Sequence, residues 1–291
     1  MAERTEHIFN QYRWLLFSIA YRMLGSATEA EDIVQEAFVR WLEADEEAIQ
    51  SPRAYLSTVV VRLCIDQQRS ARSQREVYTG TWLPEPLLTE QQPELTETAA
   101  LAESLSFAFL VMLENLGPLE RAVFLLREAF EFEYGEIAEM VSKSEANCRQ
   151  IFHRAQQHLG QRRGRFDVSH EQQERITTQF LQASSSGDIE GFLQLLSDDI
   201  VFTADGGGKA KAGLKQVRGR DKVVRGTLSG LRTVPGMVSR IATINGLPAI
   251  IGYIDNHPYC VIVLDIVDEH IREIYAVLNP DKLRLLPPLP R

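Results

Sequence analysis

The sequence predicts a multi-domain chain: two all-α segments, the second ending in a helix-turn-helix, then an α+β domain with a curved antiparallel sheet. Three observations predict this. Apolar residues recur at helical spacing from the start to about residue 160. A proline-bearing stretch, residues 77–98, divides that run. Beyond about residue 200 the period shortens to two, with Asn245-Gly246 and Asp255-Asn256-His257-Pro258 as turns between strand-like segments. A length of 291 residues accommodates two or three domains. The boundaries fall at 1–76, 77–98 (linker), 99–164 and 165–291.

Phe9, Tyr12, Leu15, Leu16, Ile19, Ala20 and Met23 form the first helical stripe, closed by Gly25. Ser26 or Thr28 opens a second helix. Its acidic first turn complements the helix dipole, and Ile33, Val34, Ala37, Phe38 and Trp41 are its apolar side. Ser51-Pro52 starts a third, with Pro at the first helical position; it runs to about Arg75 and turns basic. VYTGTWLPEPLLTEQQPELTET then reads as an extended linker. Helices resume at Ala99 and run through Leu116, and Gly117-Pro118 separates them from another ending near Phe130.

Tyr134 to Leu159, YGEIAEMVSKSEANCRQIFHRAQQHL, has the pattern of a helix-turn-helix. Ile137, Met140 and Val141 share one face of the first helix. Ser142-Lys143-Ser144 is the turn, and Ser144 is positioned to cap the second helix. Cys148, Ile151, Phe152 and Ala155 form the buried side of that helix. Asn147, Arg149, Gln150, His153 and Arg154 form the other side, which can read base edges and hold phosphates. The alternative is a helical hairpin with a solvated basic face.

In the last third, residues 171–182 and 189–196 read as helices. Strands are expected at 200–204, 210–218, 238–245, 249–255, 259–267 and 271–278, with a helix at about 221–231.

Composition limits the function classes. Hydrophobic residues make up 44% of the chain, enough for sizeable cores, and the formal net charge is −9. An acidic body disfavours DNA binding as a whole and points to dependence on a partner. The basic charge is local: Arg53, Arg62, Arg69, Arg72 and Arg75, then Arg162, Arg163 and Arg165. Cys64, Cys148 and Cys260 have no ligand-type spacing, so buried free thiols are expected and no metal or cofactor. The first residues lack an apolar signal region, and charges break the apolar run 249–267. No membrane association and a cytoplasmic location are expected.

The order of parts resembles the extracytoplasmic-function (ECF) sigma factors. The likeness covers about Phe9 to Gly160. It rests on FNQYRWLLFSIAYRMLGS, EAEDIVQEAFVRWL, SPRAYLSTVVVRLCIDQQRS, and LGPLERAVFLLREAFEFEYGEIAEMV with the helix-turn-helix. Trp82-Leu83-Pro84-Glu85-Pro86, Asp205-Gly206-Gly207-Gly208-Lys209 and Asn279-Pro280-Asp281-Lys282-Leu283 resemble the SigJ-like (ECF41) subgroup, which carries a fused C-terminal SnoaL/NTF2-like domain of cone shape. The resemblance implies a sigma factor directing core RNA polymerase to promoters, modulated in cis by its last domain. It implies docking of the polymerase β′ clamp by Asp32, Gln35, Glu36 and Trp41, with the β flap as a second contact. It places Arg62, Asp66, Arg69 and Arg72 at the −10 element, and Asn147, Arg149, Gln150, His153 and Arg154 at the −35 element. It assigns an interdomain regulatory role to Trp82, Pro84, Asp205–Lys209 and Asn279–Leu283.

Read from the residues alone, Arg62–Arg72 is equally a solvated basic helix end, and the loop 46–51 a candidate receptor for an unstacked base. Ser142 stands where such turns often hold Gly, and Gln156 where a further Arg is common. The run Asp205–Lys209 is no Walker loop, since Ala210 follows the lysine. It is either a hairpin or a bare backbone for an anion or a close neighbour. Because it is not needed to build a sheet, a bulky residue at Gly207 is expected to change activity and leave the domain's melting temperature alone.

The cone fold also hosts isomerases and cyclases. Asp205, His257, Asp265 and His270 are the candidate groups here, and both histidines sit in solvent-facing turns. No catalytic constellation follows from them, so a non-enzyme is expected. Two other readings stand beside the sigma factor: a ligand-sensing transcription factor whose last domain binds a small molecule, and a plain helix-turn-helix repressor. The docking helix and the −10-like segment argue against the repressor.

Overall fold

The computed structural model describes residues 2–45, 49–75, 78–90, 93–160, 168–232 and 234–289; within them, the side chains of 2–3, 71–75, 93–94, 99 and 228–232 lie outside the description. The chain forms two compact units. One comprises residues 1–76, 93–105 and 109–161, the other residues 77–92, 106–108 and 162–291.

The first unit is helical. α1 (Ala2–Leu24), α2 (Ala27–Glu43) and α3 (Pro52–Arg75) pack on the expected stripes. Ser26 caps α2 by accepting from the Glu29 amide at 3.1 Å. The helical stretch expected from Ala99 to Leu116 is two helices, α4 (Ala99–Leu105) and α5 (Phe107–Leu113), separated at the buried Ser106. α6 (Pro118–Glu128), α7 (Tyr134–Val141) and α8 (Glu145–Leu159) follow.

Buried Arg22 cross-links this unit. Its guanidinium donates to Ser104 Oγ, Leu95 O and Leu101 O, each at 2.8 Å, and to Ser18. Burial pulls its pKa down to about 9, the cost of removing a charge from water. Carbonyl and hydroxyl acceptors around the guanidinium offset part of that cost.

In the second unit α9 (His170–Ser186) and α10 (Ile189–Leu195) precede β1 (Leu196–Asp205). β2 (Val217–Arg218), α11 (Arg220–Arg232), β3 (Val238–Ile244), β4 (Leu247–Ile254), β5 (His257–Val267) and β6 (His270–Val277) complete it. The strand order is β2-β1-β6-β5-β4-β3. All neighbours are antiparallel except β1 and β6, so the sheet is mixed rather than wholly antiparallel. One extra residue on β5 opposite Gly252/Tyr253 and one on β6 opposite Asp265/Ile266 are bulges, which bend a sheet, and the β1–β6 register shifts between Leu196 and Val201. The expected strand 210–218 is a correction: only Val217 and Arg218 pair, and most of 211–216 is exposed.

Asn245-Gly246, Asp255-Asn256 and Asp268-Glu269 all have positive φ, the left-handed pairs that tight hairpins use. Ile176, Phe180, Phe192, Ile200, Val223 and Ile274 centre the core between the helices and one sheet face. All three cysteines are buried and unbonded, and burial raises each thiol's pKa.

Candidate functional site

The loop after β1, the tail after β6 and the segment 78–83 meet at one carboxylate. Asp205, fully buried at the end of β1, accepts from the Tyr78 hydroxyl at 2.6 Å and the Gly207 amide at 3.0 Å through Oδ1. Its Oδ2 accepts from the Leu83 amide at 2.9 Å and pairs with Lys282 Nζ at 2.7 Å. Lys282 also donates to the Leu83 carbonyl and lies 4.3 Å from the centre of the Trp82 ring. Opposite charges thus hold the amide and the carbonyl of one residue, Leu83.

Asn279 completes the clasp. Its Nδ2 donates to the Tyr78 hydroxyl at 3.0 Å, and its Oδ1 accepts from the Asp281 amide at 3.1 Å. Leu278 N and Asn279 N both donate to Asp205 O, at 2.8 and 2.9 Å. Lys209 pairs with Asp281. Burial first, then the bond to Asp205, raises the Tyr78 pKa, so the phenol stays a donor. Gly207 has φ +57, and a Cβ there would overlap the Asn279 amide group. Gly208, with φ +71, faces Thr79. The glycine run is therefore the bare-backbone alternative, with the linker and the tail as its close neighbours.

The segment continues along the sheet. Leu87 exchanges both its backbone bonds with Asn245, Leu87 N to Oδ1 at 2.9 Å and Asn245 N to Leu87 O at 2.8 Å. Thr89 N donates to Thr243 O at 2.9 Å, and Glu90 holds Arg240 through both oxygens, at 2.9 and 2.7 Å. Leu83, Pro84, Leu87 and Thr89 are buried. Of the stretch 77–98 read as a linker, residues 78–90 are thus a part of the sheet unit, while 93–98 belong to the helical one. Every residue with an expected regulatory role lies in this region; Leu283 is buried, and Pro280 opens the tail's short 3-10 turn.

In the helical unit, the Ser144 hydroxyl accepts from Asn147 N at 3.3 Å, as its capping position requires. Cys148, Ile151, Phe152 and Ala155 are buried; Arg149, Gln150, His153 and Arg154 are exposed, and Asn147 is partly so. Arg149 bonds Glu145 at 2.8 Å and lies over the Tyr134 ring. Ser142 has φ 53, the conformation that favours Gly.

Arg62 donates to Met140 O and Glu139 O, each at 3.0 Å, and to Ser142 Oγ at 3.2 Å, so it caps the first helix of this motif instead of standing free for a phosphate. Asp66 and Arg69 are exposed and pair at 3.4 Å. The Arg72 side chain lies outside the described residues, as do residues 46–48 of the preceding loop and the 162–165 arginines.

On α2, Asp32, Gln35 and Glu36 are exposed, but Trp41 is a correction: it is 1% exposed and its indole donates to Thr5 O at 2.9 Å. Phe38 packs on Phe9 at 4.8 Å. The exposed apolar groups on the acidic side are Val39 and Leu42, which helical spacing from Asp32 and Gln35 would have found.

His257 and His270 are exposed, each bonded to a carbonyl two residues back. Asp205 is held in the clasp and Asp265 is buried in β5, so these four do not converge. Among the described residues no group of three or more His, Cys, Asp or Glu could hold a metal. No helix among them is long and apolar enough to cross a membrane.

Residues 8–74 match the family Sigma-70 region 2, and residues 106–159 match Sigma-70, region 4. The ECF RNA polymerase sigma factor SigJ of Mycobacterium tuberculosis is 38% identical over 291 residues, covering 94% of this chain and 91% of that one. The ferric citrate uptake sigma factor FecI of Escherichia coli is 28% identical over 158 residues, 53% of this chain and 87% of that one. The crystal structure of the Mycobacterium tuberculosis SigJ superposes with a TM-score of 0.75 at 33% identity, covering 98% of each chain. A helix-turn-helix with an exposed arginine-bearing face, preceded by the region 2 helices, defines a promoter-recognition subunit of RNA polymerase. The chain belongs to the ECF RNA polymerase sigma factors.

Proposed function

We propose that this sigma factor is modulated in cis by its sheet domain, which acts through the linker between regions 2 and 4. The observation that carries the reading is the clasp at Asp205, where one buried carboxylate binds Tyr78, Leu83, Gly207 and Lys282. Two promoter elements at a set spacing demand a set path between the segments that meet them. Holding residues 78–90 removes most conformations of that path.

Region 4 meets the −35 element through Asn147, Arg149, Gln150, His153 and Arg154. Region 2 meets the −10 element through Arg69 and its neighbours, and Asp32, Gln35 and Glu36 face the β′ clamp, with Val39 and Leu42 beside them. The β flap is the second polymerase contact. The working location is the cytoplasm, and the sheet domain binds rather than turns over a small molecule.

Run-off transcription with core polymerase tests the modulation. The full chain, an Asp205→Asn variant and a chain ending near residue 168 are compared on one promoter. Equal output from all three overturns it; output that changes on releasing the clasp supports it.

A further inference from the structure

A cavity of about 370 Å³ opens on the helix-covered face of the sheet. Its origin is in the strand register. Phe202, Ile274 and Leu264 lie side by side on β1, β6 and β5 and fill the space under the helices. Two residues along β1 and β6, the same row reads Ala204, Ala276 and Ile262. Two alanines replace two large side chains, and the space stays open. At Gly226 α11 presents no side chain to the cavity, and a Cβ there would meet no atom within 4 Å.

The chemistry of the wall is one-sided. No carboxylate is present among its described residues, and the inner end is apolar. Burial pushes the Cys260 thiol up to about 11, so it is neutral at physiological pH. The one charged lining residue among those described is Lys211, exposed on the rim, with the Tyr259 ring also in the wall. An apolar chamber with a single cation at its mouth suits an amphipathic anion. At protein-like packing density the volume has room for about 14–18 non-hydrogen atoms.

The rim and the clasp are one piece of chain. Ala204 is in the wall and Asp205 is the clasp carboxylate; Leu278 is in the wall and Asn279 is in the clasp. The loop that supplies Gly207 and Lys209 to the clasp supplies Lys211, Ala212 and Gly213 to the rim. A Cβ on Gly206 would overlap Ala210 O and Ala212 Cβ, so the two halves of this loop are packed closely against each other.

We propose that this cavity binds a small monocarboxylate with an apolar body, its carboxylate at Lys211, and that occupancy alters the hold on the linker. The second half rests on the cis-modulation reading above; the first does not.

Octanoate, benzoate and 2-naphthoate are titrated calorimetrically into the full chain, with octanamide as the uncharged control. One-to-one binding of at least one carboxylate is expected, weakened about tenfold by Lys211→Met and abolished by Gly226→Phe, whose Cβ meets no atom within 4 Å; its melting temperature is expected to match the parent's. Octanamide binds about as weakly as octanoate does to Lys211→Met. No saturable binding by any of the three, octanamide binding as tightly as octanoate, or binding that survives Gly226→Phe overturns the site. Run-off transcription separates the two halves. Binding without a change in output removes the regulatory half and keeps the site. A response to Asp205→Asn without any binding keeps the cis modulation and removes the site.

Discussion

The Lys282 ammonium stands 2.7 Å from Asp205 Oδ2, with the two side chains 8% and 0% exposed. Such a pair is stable only if its remaining hydrogen-bonding capacity is met. Asp205 receives Tyr78, Gly207 and Leu83, and Lys282 gives to Leu83 O. Replacing Asp205 by Asn leaves a buried ammonium without its counter-charge, a loss of about 3 kcal/mol. Hydrogen exchange at the Leu83 and Gly207 amides accelerates accordingly, and Lys282→Met in the same chain restores part of the protection. Unaltered exchange in the single variant shows that the pair does not hold the linker.

Gly207→Val forces a branched residue into φ +57 and drives its Cβ into the Asn279 amide. The left-handed backbone alone costs about 1–2 kcal/mol. The sheet domain is therefore expected to melt at a lower temperature, the reverse of what its place in a loop predicts from sequence. Calorimetry decides, with Gly213→Ala as a control, since its Cβ would meet only Lys215 O at 3.6 Å.

The Lys209 hydrogen bond holds the Asp281 carboxyl below its ordinary value of 3.8. A lowered folded pKa means that stabilisation is complete above the ordinary value and is lost as pH falls through the lowered one. The Lys209→Met variant should raise the Asp281 midpoint seen by carboxyl-carbon NMR. A midpoint that stays in place shows that Arg284, 2.6 Å from Asp281 Oδ1, supplies the effect.

Arg154→Ala is expected to weaken promoter binding by the holoenzyme without altering the fold. Loss of a base contact costs about 1–3 kcal/mol and relaxes preference at one position. Loss of a phosphate contact lowers affinity evenly and reduces the salt slope by about one. Arg149→Ala also removes the Glu145 bond, an exposed helical pair worth about 0.3–0.5 kcal/mol. Binding isotherms at several salt concentrations separate these outcomes; unchanged isotherms for the double variant remove this face as the reader.

Arg62→Ala deprives the C-terminus of α7 of bonds to Glu139 O, Met140 O and Ser142 Oγ. Charge-assisted bonds of this kind contribute about 1.5–3 kcal/mol when buried, and less at this exposed site. Faster exchange at the Lys143 amide, which bonds Ala138 O, is the expected signature. Exchange equal to that of the parent chain shows that the turn holds without Arg62.

Much of this architecture is legible in the residues. Cys148, Ile151, Phe152 and Ala155 mark the buried side of α8, since helical period and apolarity agree there. Asn245-Gly246 and Asp255-Asn256 tolerate positive φ, so both hairpins are readable. Asp268-Glu269 is not, because Glu carries no turn signal. Trp41 lies four residues from Ala37 and seven from Val34, both buried, and that spacing outweighs its place in the docking motif.

The break at Ser106 has no Gly or Pro to announce it. The residues 210–218 alternate well enough to read as a strand, but Lys211, Gly213 and Lys215 are exposed and only the last two residues pair. The clasp was visible only as three motifs. Asp205 and Lys282 are 77 residues apart, and no local pattern announces their pairing.

The sheet unit grips residues 83–89 largely by main chain: both backbone groups of Leu83, both of Leu87, and the amide of Thr89. It therefore acts as a ruler more than as a lock for particular side chains. Exchanging a side chain between two grips leaves the number of backbone units between them as it is. Inserting one residue between Leu83 and Leu87 puts the grips out of step, so this connection tolerates new letters far better than a new length.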